Sequence, residues 1–539
     1  MLPVYFSLLL TAAASAWGRV QTERFESADF DPTEALVNQG FDKSTIPTEG
    51  QRSAGWACSA ACGFLKLAFG DERVLTSEET EYGNFTGGYW SMLQGDVNPQ
   101  CIFKPQHAEA VSAAVLISRV TQCPFAAKSG GHAAFAGASS IEGGITISFE
   151  DMNKIEVAPN KKTVSVEPGN TWGPVYEHLA DYEAVAIGGR VYNIGVGGLT
   201  LGGGISFFSG LYGWACDNVA KYTVVTASGR IVEATPTQYP DLYWALRGGG
   251  NNFGLVVNFE LNLYPLPDNL LWGGSRIYTE EAFPNVIDGF TKVVVEATED
   301  ANAGQWIAWT QANGAPIAST EFWYAKPIAD APIFSGYGNA TAISDTTQIR
   351  PLAEYSTQLQ VSNPSGLREV YYGLTAKVDR DLLEVAKDIF YEEIETVSHV
   401  TGSMPTLINQ GISVPIMESM EKNGGNPLGL DPADGPLYLI HIACWWENEE
   451  HDEDVYAFVS RVLERITDEA KRRSLENDYI YMNYASMFED VIAGYGDENK
   501  DALKSVAWKY DPSGVFQKLQ PGYFKLDRAP VPDSGYFSG

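Results

Sequence analysis

Basic residues are scarce in this chain of 539 residues: 36 Lys and Arg stand against 68 Asp and Glu, and the formal net charge is −32. Such a charge repels nucleic-acid phosphates and anionic lipid headgroups, so we expect neither as a partner. After the first 16 residues, no apolar run reaches the roughly 18 to 20 residues that a membrane helix needs. The acidity is typical of a soluble protein outside the cell.

Several catalytic motifs are also missing. The chain has no H-E-x-x-H, no G-x-S-x-G and no Walker sequence, and its few Cys and His residues do not follow the spacing of a zinc site. Only six histidines occur, and they are scattered along the chain. The sequence therefore gives no support to a zinc hydrolase, a serine hydrolase or a P-loop nucleotidase.

The N-terminal residues predict export. An apolar run from Leu8 to Ala14 ends in Ala14-Ser15-Ala16, which has the small-x-small pattern of a signal-peptidase site, although no Lys or Arg precedes it. We expect a signal peptide at 1–16, a secreted or secretory-pathway protein, and glycosylation at the sequons of Asn84 and Asn339.

The chain has only six cysteines, and they fit an oxidising compartment. Two of them, Cys216 and Cys444, lie in apolar surroundings and are predicted to be buried free thiols. The other four cluster near the N-terminus and allow three disulfide pairings, which the sequence does not separate: Cys58, Cys62, Cys101 and Cys123.

Glycine, by contrast, is abundant, with 53 residues. A short apolar run predicted as a buried strand leads into Lys128-Ser129-Gly130-Gly131-His132, and residues 195–204 contain six glycines. Such loops let a backbone approach a pyrophosphate and turn its N–H groups toward it. The second loop is not a Rossmann fingerprint, because the third glycine of G-x-G-x-x-G falls on Thr200.

The hydrophobic pattern predicts an α+β fold in two domains. Strands are expected at 101–105, 124–127, 144–148, 163–167, 222–226, 230–233 and 255–263, with helices at 106–118 and 172–181. After Pro265-Leu266-Pro267 the hydrophobic pattern changes and predicts helices at 286–297, 381–393 and 452–473. Between them it predicts strands of one sheet at 320–325, 369–378 and 437–446. A cleft between two such domains is a common place for an active site.

Several stretches of the chain resemble motifs of the FAD-linked oxidases of the vanillyl-alcohol oxidase type, in the branch of berberine bridge enzyme and 6-hydroxynicotine oxidase, and they occur in the same order as in that family. The matching stretches run from about Tyr89 to Lys525 and are residues 128–132, 195–204, 213–218, 241–254, 481–484 and 510–522. The resemblance implies a PCMH-type FAD-binding domain at 61–267 and a substrate domain at 268–477, built as an antiparallel sheet covered by helices. A C-terminal segment at 478–527 would return to the FAD domain. We also expect a loosely attached N-terminal arm at 17–60 and a frayed tail at 528–539.

The same resemblance implies FAD as cofactor, joined through its 8α-methyl group to His132. Many relatives have a second tether, a cysteine, where this chain has Val191, and a histidine where it has Leu199, so a single covalent bond is expected. The residues expected to contact FAD are Lys128, Ser129, Gly130, Gly131, His132, Gly195, Gly197, Gly198, Thr200, Gly204, Asp217, Val256 and Asn483. For Asp217 and its neighbour Asn218, stabilisation of a turn is an equally good interpretation.

The candidate catalytic residues are Tyr481 and Asn483 in Tyr481-Met482-Asn483-Tyr484, which the resemblance places on the reactive side of the flavin. In an extended segment these two share one face and Tyr484 takes the other, where it packs in the core. A phenol acts as a base only where its surroundings favour the phenolate. Other residues that could line the pocket, although a surface or structural role fits them better, are Lys377, Gln410, Glu418 and one of the pair Trp445-Trp446.

We therefore expect a secreted oxidase that takes a hydride from an alcohol, an amine or an activated C–H of a small molecule of secondary metabolism, and that reduces O₂ to H₂O₂. A monomer is expected. Two alternatives stay open: an oligosaccharide or sugar oxidase, against which Val191 counts, and a non-catalytic secreted flavoprotein. The sequence gives no substrate.

Overall fold

The computed structural model describes residues 25–47, 54–532 and 534–536, so the predicted signal peptide lies outside the described residues. The fold is of the α+β class, as predicted. Among the described residues, no helix combines the length and the apolar character needed to cross a bilayer.

The strands are short in the first half of the chain and long in the second. They are β1 (Val74–Leu75), β2 (Cys101–Phe103), β3 (Phe125–Lys128), β4 (Ile145–Ser148), β5 (Ile155–Val157), β6 (Thr163–Val166), β7 (Ala184–Ala186), β8 (Val219–Val225), β9 (Ile231–Ala234), β10 (Leu255–Pro265), β11 (Leu270–Thr279), β12 (Ala303–Ala312), β13 (Ala315–Tyr324), β14 (Ser344–Asp345), β15 (Gln348–Pro351), β16 (Arg368–Lys377), β17 (Thr406–Ile412), β18 (Leu437–Trp446) and β19 (Glu476–Asn477).

The α-helices connect and cover these strands. They are α1 (Pro32–Asn38), α2 (Ala54–Phe69), α3 (Thr80–Thr86), α4 (Met92–Gly95), α5 (Ala108–Thr121), α6 (Trp172–Ala180), α7 (Val196–Leu201), α8 (Ser209–Tyr212), α9 (Pro240–Leu246), α10 (Phe283–Val295), α11 (Leu352–Val361), α12 (Arg380–Glu393), α13 (Val414–Met420), α14 (Asp452–Arg472), α15 (Asp497–Tyr510) and α16 (Val515–Lys518).

Two small sheets form the first domain. One has the order β1-β2-β4-β3, in which β4 runs parallel to both β2 and β3. The other has the order β5-β6-β10-β8-β9, with β7 added to the end of β10, and is antiparallel. The first glycine-rich loop follows β3 directly, so the sheet fixes where that loop begins.

One large antiparallel sheet forms the second domain. Its order is β14-β11-β13-β12-β17-β18-β16-β19, with β15 also paired to β11. Helices α10, α12 and α14 pack on one face around residues such as Phe290, Phe390 and Val459. Because side chains alternate along a strand, residues such as Trp306 and His441 point from the opposite face into a cavity.

The segment after β19 returns to the first domain. Helix α15 packs on α9, where the Tyr510 hydroxyl donates to Asp241 at 2.7 Å. Further on, Phe516 of α16 lies in the same core as Phe125 of β3, with ring centroids 6.3 Å apart. The first domain is thus built from both ends of the chain.

Both terminal predictions need correction, because the described residues of the arm and of the tail pack against the domains. Within the predicted arm, Leu36 of α1 is fully buried, and Glu26 accepts hydrogen bonds from Arg119 at 2.6 and 2.9 Å. In the predicted frayed tail, Tyr536 packs against Phe488 with centroids 4.9 Å apart. Buried apolar and ion-pair contacts hold these segments, although neither has a long hydrophobic repeat.

The structure resolves the cysteine pairings that the sequence left open. Cys58 bonds to Cys123 and Cys62 bonds to Cys101, which ties α2 to the loop before β3 and to the start of β2. The free thiols of Cys216 and Cys444 are buried, as predicted.

Candidate functional site

A cavity of about 880 Å³ lies where the glycine-rich loops of the first domain face the large sheet of the second. The C-terminal segment contributes a third side through Tyr481, Asn483 and Tyr484. Three separate parts of the chain therefore meet at one site.

The two glycine-rich loops touch each other at the first-domain end of the cavity. A Cβ on Gly130 would lie 2.5 Å from the Gly195 nitrogen, and one on Gly195 would lie 2.2 Å from the Gly130 nitrogen. These glycines are needed for the contact between the loops. Gly198, in contrast, is open to the cavity, with no atom within 4 Å of a Cβ built there.

His132 presents an unpaired nitrogen at this end. Among the residues that the structure describes, its buried Nε2 has no hydrogen-bond partner, and the ring stacks on Trp90 with centroids 3.9 Å apart. Burial lowers the pKa of His132 to about 4. Near pH 7 the imidazole is therefore neutral, which is its nucleophilic form.

Most residues predicted to contact the cofactor line the cavity, but four do not. Lys128 turns away, and its Nζ lies 5.0 Å from the Phe85 ring and 5.3 Å from the Tyr89 ring, where burial lowers its pKa. Thr200 and Gly204 are also outside the lining, as is Asp217. Those that line it are Ser129, Gly130, Gly131, His132, Gly195, Gly197, Gly198, Val256 and Asn483.

Asp217 belongs to a buried ion pair of the first domain, where that domain meets the second. Its side chain accepts from Arg247 at 2.9 Å, and both side chains are fully buried. It also accepts from the Trp214 backbone N–H and from Asn426. Arg247 reaches the second domain by donating to the Lys422 carbonyl at 2.9 Å. The turn-stabilising interpretation of Asp217 therefore fits the structure better than a cofactor contact.

The segment 481–484 is not extended as predicted, because Met482–Tyr484 form one turn of 3₁₀ helix. Tyr481 is only 2% exposed, and its oxygen accepts from the backbone N–H groups of Gly204 at 3.2 Å and Ile205 at 3.0 Å. Burial raises the pKa of this phenol well above its usual range. Tyr481 thus holds the second glycine-rich loop. Because its pKa is raised, it is poorly suited to act as a base.

Asn483 acts on the same loop. Its Nδ2 donates to the Leu199 carbonyl at 3.0 Å and to the Tyr481 oxygen at 3.1 Å. There is room for the side chain because position 202 is a glycine, where a Cβ would lie 2.1 Å from the Asn483 oxygen.

Tyr484 instead faces the second domain inside the cavity. Its oxygen accepts from Arg190 at 2.8 Å, and the same guanidinium nitrogen donates to Gln410 at 2.9 Å. Arg190 is 7% exposed and lies 4.6 Å from the Trp306 ring. Within the described residues no carboxylate pairs with it. This cluster was missed from sequence, since Arg190 carries no motif and Gln410 was favoured as structural.

The wall formed by the large sheet carries four rings among smaller and polar side chains. Alternate positions on β12, β16 and β18 turn Trp306, Tyr371, His441 and Trp445 toward the cavity, while Trp446 turns into the core. His441 stacks on Tyr484 with centroids 4.3 Å apart. Val191 and Leu199 also line the cavity, whereas Lys377 and Glu418 do not.

These features fit a large flat cofactor with a phosphate-bearing tail. The open backbone at Gly198 and the neighbouring loop offer polar backbone groups to such a tail. The buried Nε2 of His132 has no partner among the described residues, so it is free to contact the cofactor. The class of protein indicated is an FAD-binding flavoprotein, and residues 99–235 match the FAD binding domain family.

Fungal FAD-dependent monooxygenases are among the proteins similar to this chain. The chain is 33% identical over 513 residues to the FAD-dependent monooxygenase tpcD of Cochliobolus heterostrophus, covering 91% of this chain and 98% of that protein. It is 35% identical to the FAD-dependent monooxygenase FUP4 of Fusarium proliferatum, covering 87% and 95%. The chain belongs to this family of FAD-dependent oxidoreductases, whose fold is that of berberine bridge enzyme-like proteins.

Solved structures show the same fold. The 6-hydroxy-D-nicotine oxidase of Arthrobacter nicotinovorans superposes with a TM-score of 0.70 at 20% identity, covering 84% of this chain and 97% of that one. A berberine bridge enzyme variant in complex with (S)-reticuline gives a TM-score of 0.71 at 16% identity, covering 89% and 100%.

Proposed function

We propose that this protein is a flavin-dependent oxidase of small planar molecules. The substrate loses a hydride from a carbon that bears an O–H, an N–H or another activating group, together with a proton, and O₂ takes both electrons to become H₂O₂. The observation that carries this proposal is that one cavity contains both the unpaired imidazole of His132 and the Tyr484 hydroxyl bonded to Arg190.

Bound FAD would supply the electron acceptor, and the chain would hold it through one covalent bond to His132. The neutral imidazole, whose Nε2 is buried, supports this assignment. The apolar side chains of Val191 and Leu199 in the lining support a single tether, because neither can form a second.

We assign the role of proton acceptor to Tyr484. In this role Tyr484 acts as the phenolate, its own proton having passed to solvent, and it takes the proton of the substrate to become the phenol again. Arg190 donates to the same oxygen, so a fixed positive charge faces the atom that carries the negative charge. Tyr481 and Asn483 would position the second glycine-rich loop, because both side chains bond to it.

The rings on the large-sheet wall favour a flat substrate, since flat molecules stack well on Trp and Tyr faces. Relatives named as FAD-dependent monooxygenases also support O₂ as the second substrate, and a bifunctional solanapyrone synthase of Alternaria solani is 29% identical over 492 residues. The substrate class that we propose is a secondary metabolite with an oxidisable ring or side chain.

Secretion is part of the proposal. Two disulfides support an oxidising compartment, and the exposed sequon residues Asn84 and Asn339 are accessible for glycosylation. We propose that the protein works as a monomer.

The test compares two tyrosines that line the same cavity. Protein secreted from a eukaryotic host is screened for peroxide release on aromatic alcohols, amines and sugars, and the best substrate is then used to follow the anaerobic loss of oxidised flavin absorbance. Tyr484→Phe should slow this reduction by about 10²-fold or more, because it removes the proton acceptor. Tyr481→Phe is the matched control and should slow it much less.

An unchanged rate in Tyr484→Phe with normal flavin content would refute its role. One H₂O₂ per substrate oxidised supports an oxidase, whereas incorporation of oxygen into the product without peroxide would show a monooxygenase instead. The absence of turnover on the whole panel, with flavin that stays oxidised, would favour a non-catalytic flavoprotein.

A further inference from the structure

We propose that His399, His451 and Asp454 form a binding site for a divalent transition-metal ion, with Zn²⁺ as the ion of best fit. The His399 Nε2 lies 3.0 Å from the Asp454 Oδ2, and the His451 Nδ1 lies 3.6 Å from the same oxygen. All three ligand atoms lie within 4.8 Å of one another. The site is on the surface of the second domain, and its three residues are not among those that line the cavity.

Three local features bring these side chains together. His399 follows a short 3₁₀ turn at Ile394–Val397, His451 stands immediately before α14, and Asp454 lies in the first turn of that helix. The two imidazole rings meet edge to face with centroids 5.6 Å apart. Their nitrogens therefore reach one carboxylate from two different segments.

The donor set matches zinc chemistry. Zn²⁺ takes imidazole nitrogen and carboxylate oxygen at about 2.0 to 2.2 Å, which in a tetrahedral site separates two ligands by roughly 3.3 Å. The observed spacings of 3.0 and 3.6 Å bracket that value. His399 and Asp454 are exposed, so water can occupy the remaining position.

A second carboxylate supports the site from outside. The Glu450 Oε1 lies 3.7 Å from the His451 Nε2, the ring nitrogen opposite the one that faces Asp454. This distance is longer than a hydrogen bond, so Glu450 contributes negative charge beside the site and does not fix the ring.

An ion here would tie the rim of the cavity to α14. Ser398 and Val400, on either side of His399, line the cavity, as does Met404. Fixing His399 to the start of α14 would therefore restrict the motion of residues 398–404. The inference concerns binding and local order, and it stands whether or not the proposed oxidation is correct.

The experiment titrates ZnCl₂ into chelator-treated full-length protein, purified without a polyhistidine tag, in a calorimeter. We expect one tight site, with affinity lowered about tenfold or more in His399→Asn and in Asp454→Asn. The matched control is His107→Asn: His107 lies 3.0 Å from Glu109 in an exposed pair without a second histidine, and asparagine can keep its capping of α5. That variant should bind like the wild type.

Hydrogen exchange gives an independent readout. Zn²⁺ should slow exchange at 398–404 in the wild type and leave it unchanged in His399→Asn. The proposal is overturned by the absence of Zn²⁺ binding, or by binding that is as tight in His399→Asn and Asp454→Asn as in the wild type, which would locate the ion elsewhere.

Discussion

Replacing Asp217 with Asn removes the carboxylate that faces Arg247 while keeping the size of the side chain. Both partners are fully buried, and Arg247 would retain its bonds to the carbonyls of Cys216 and Lys422 but lose its counter-charge. A buried charge left without its partner typically costs about 3–5 kcal/mol. We therefore expect a folded but clearly destabilised protein.

The size of the effect follows from the length of the chain. At about 2.1 cal/mol/K per residue, the entropy of unfolding of 539 residues is roughly 1.1 kcal/mol/K, so the loss lowers Tm by about 3–5 °C. Thermal scanning of the flavin-loaded protein measures it. The control is Glu233→Gln, which breaks the exposed pair between Glu233 and Lys221 at 2.9 Å and should cost about 0–1 kcal/mol.

Two results would refute the structural role of Asp217. If Asp217→Asn unfolds at the wild-type temperature, the ion pair contributes little to stability. If it has normal stability but loses its flavin, Asp217 contacts the cofactor after all. Replacing both partners, as Asp217→Leu with Arg247→Met, should recover part of the loss, since no charge is then stranded.

Two further predictions concern the cofactor and pH. His132→Ala should fold but release its flavin on acid precipitation, whereas His441→Ala, which alters another imidazole of the cavity, should retain it; covalent flavin in His132→Ala would contradict the assignment. Burial raises the pKa of Glu489 from 4.5 to about 8, so the folded chain keeps a proton that the unfolded chain releases, and stability should fall as pH rises through that window. Between about pH 5 and pH 8, the denaturation midpoint of Glu489→Gln should fall less steeply than that of the wild type. Equal slopes in the two proteins would contradict the argument.

Hydrophobic patterning predicted the strongest elements of the fold. Helix α14 was expected at 452–473 because Val455, Val459 and Ile466 recur on one face, and it spans Asp452–Arg472 with those residues buried. The strands β11, β12 and β17 of the large sheet were missed. β11 and β17 contain Gly273-Gly274 and Asn409-Gln410-Gly411, residues with weak strand preference, and pairing with neighbouring strands holds them in the sheet.

The site was less predictable because it depends on one local turn and on distant contacts. Alternation in an extended segment placed Tyr484 in the core, but the 3₁₀ turn rotates it into the cavity beside Arg190, which is 294 residues away. Lys128 belongs to the glycine-rich motif, yet it packs among aromatic rings. A motif gives the position of a loop, and the tertiary contacts decide which of its side chains reach the ligand.

The return of the C-terminal segment to the first domain has a consequence for biosynthesis. Gln520 and Tyr523 line the cavity, and the Leu519 carbonyl accepts from the Phe125 backbone N–H at 2.6 Å. During translation the glycine-rich loops emerge hundreds of residues before these partners do. The cavity is therefore complete only after nearly the whole chain has left the ribosome, so cofactor loading belongs to the last stage of maturation.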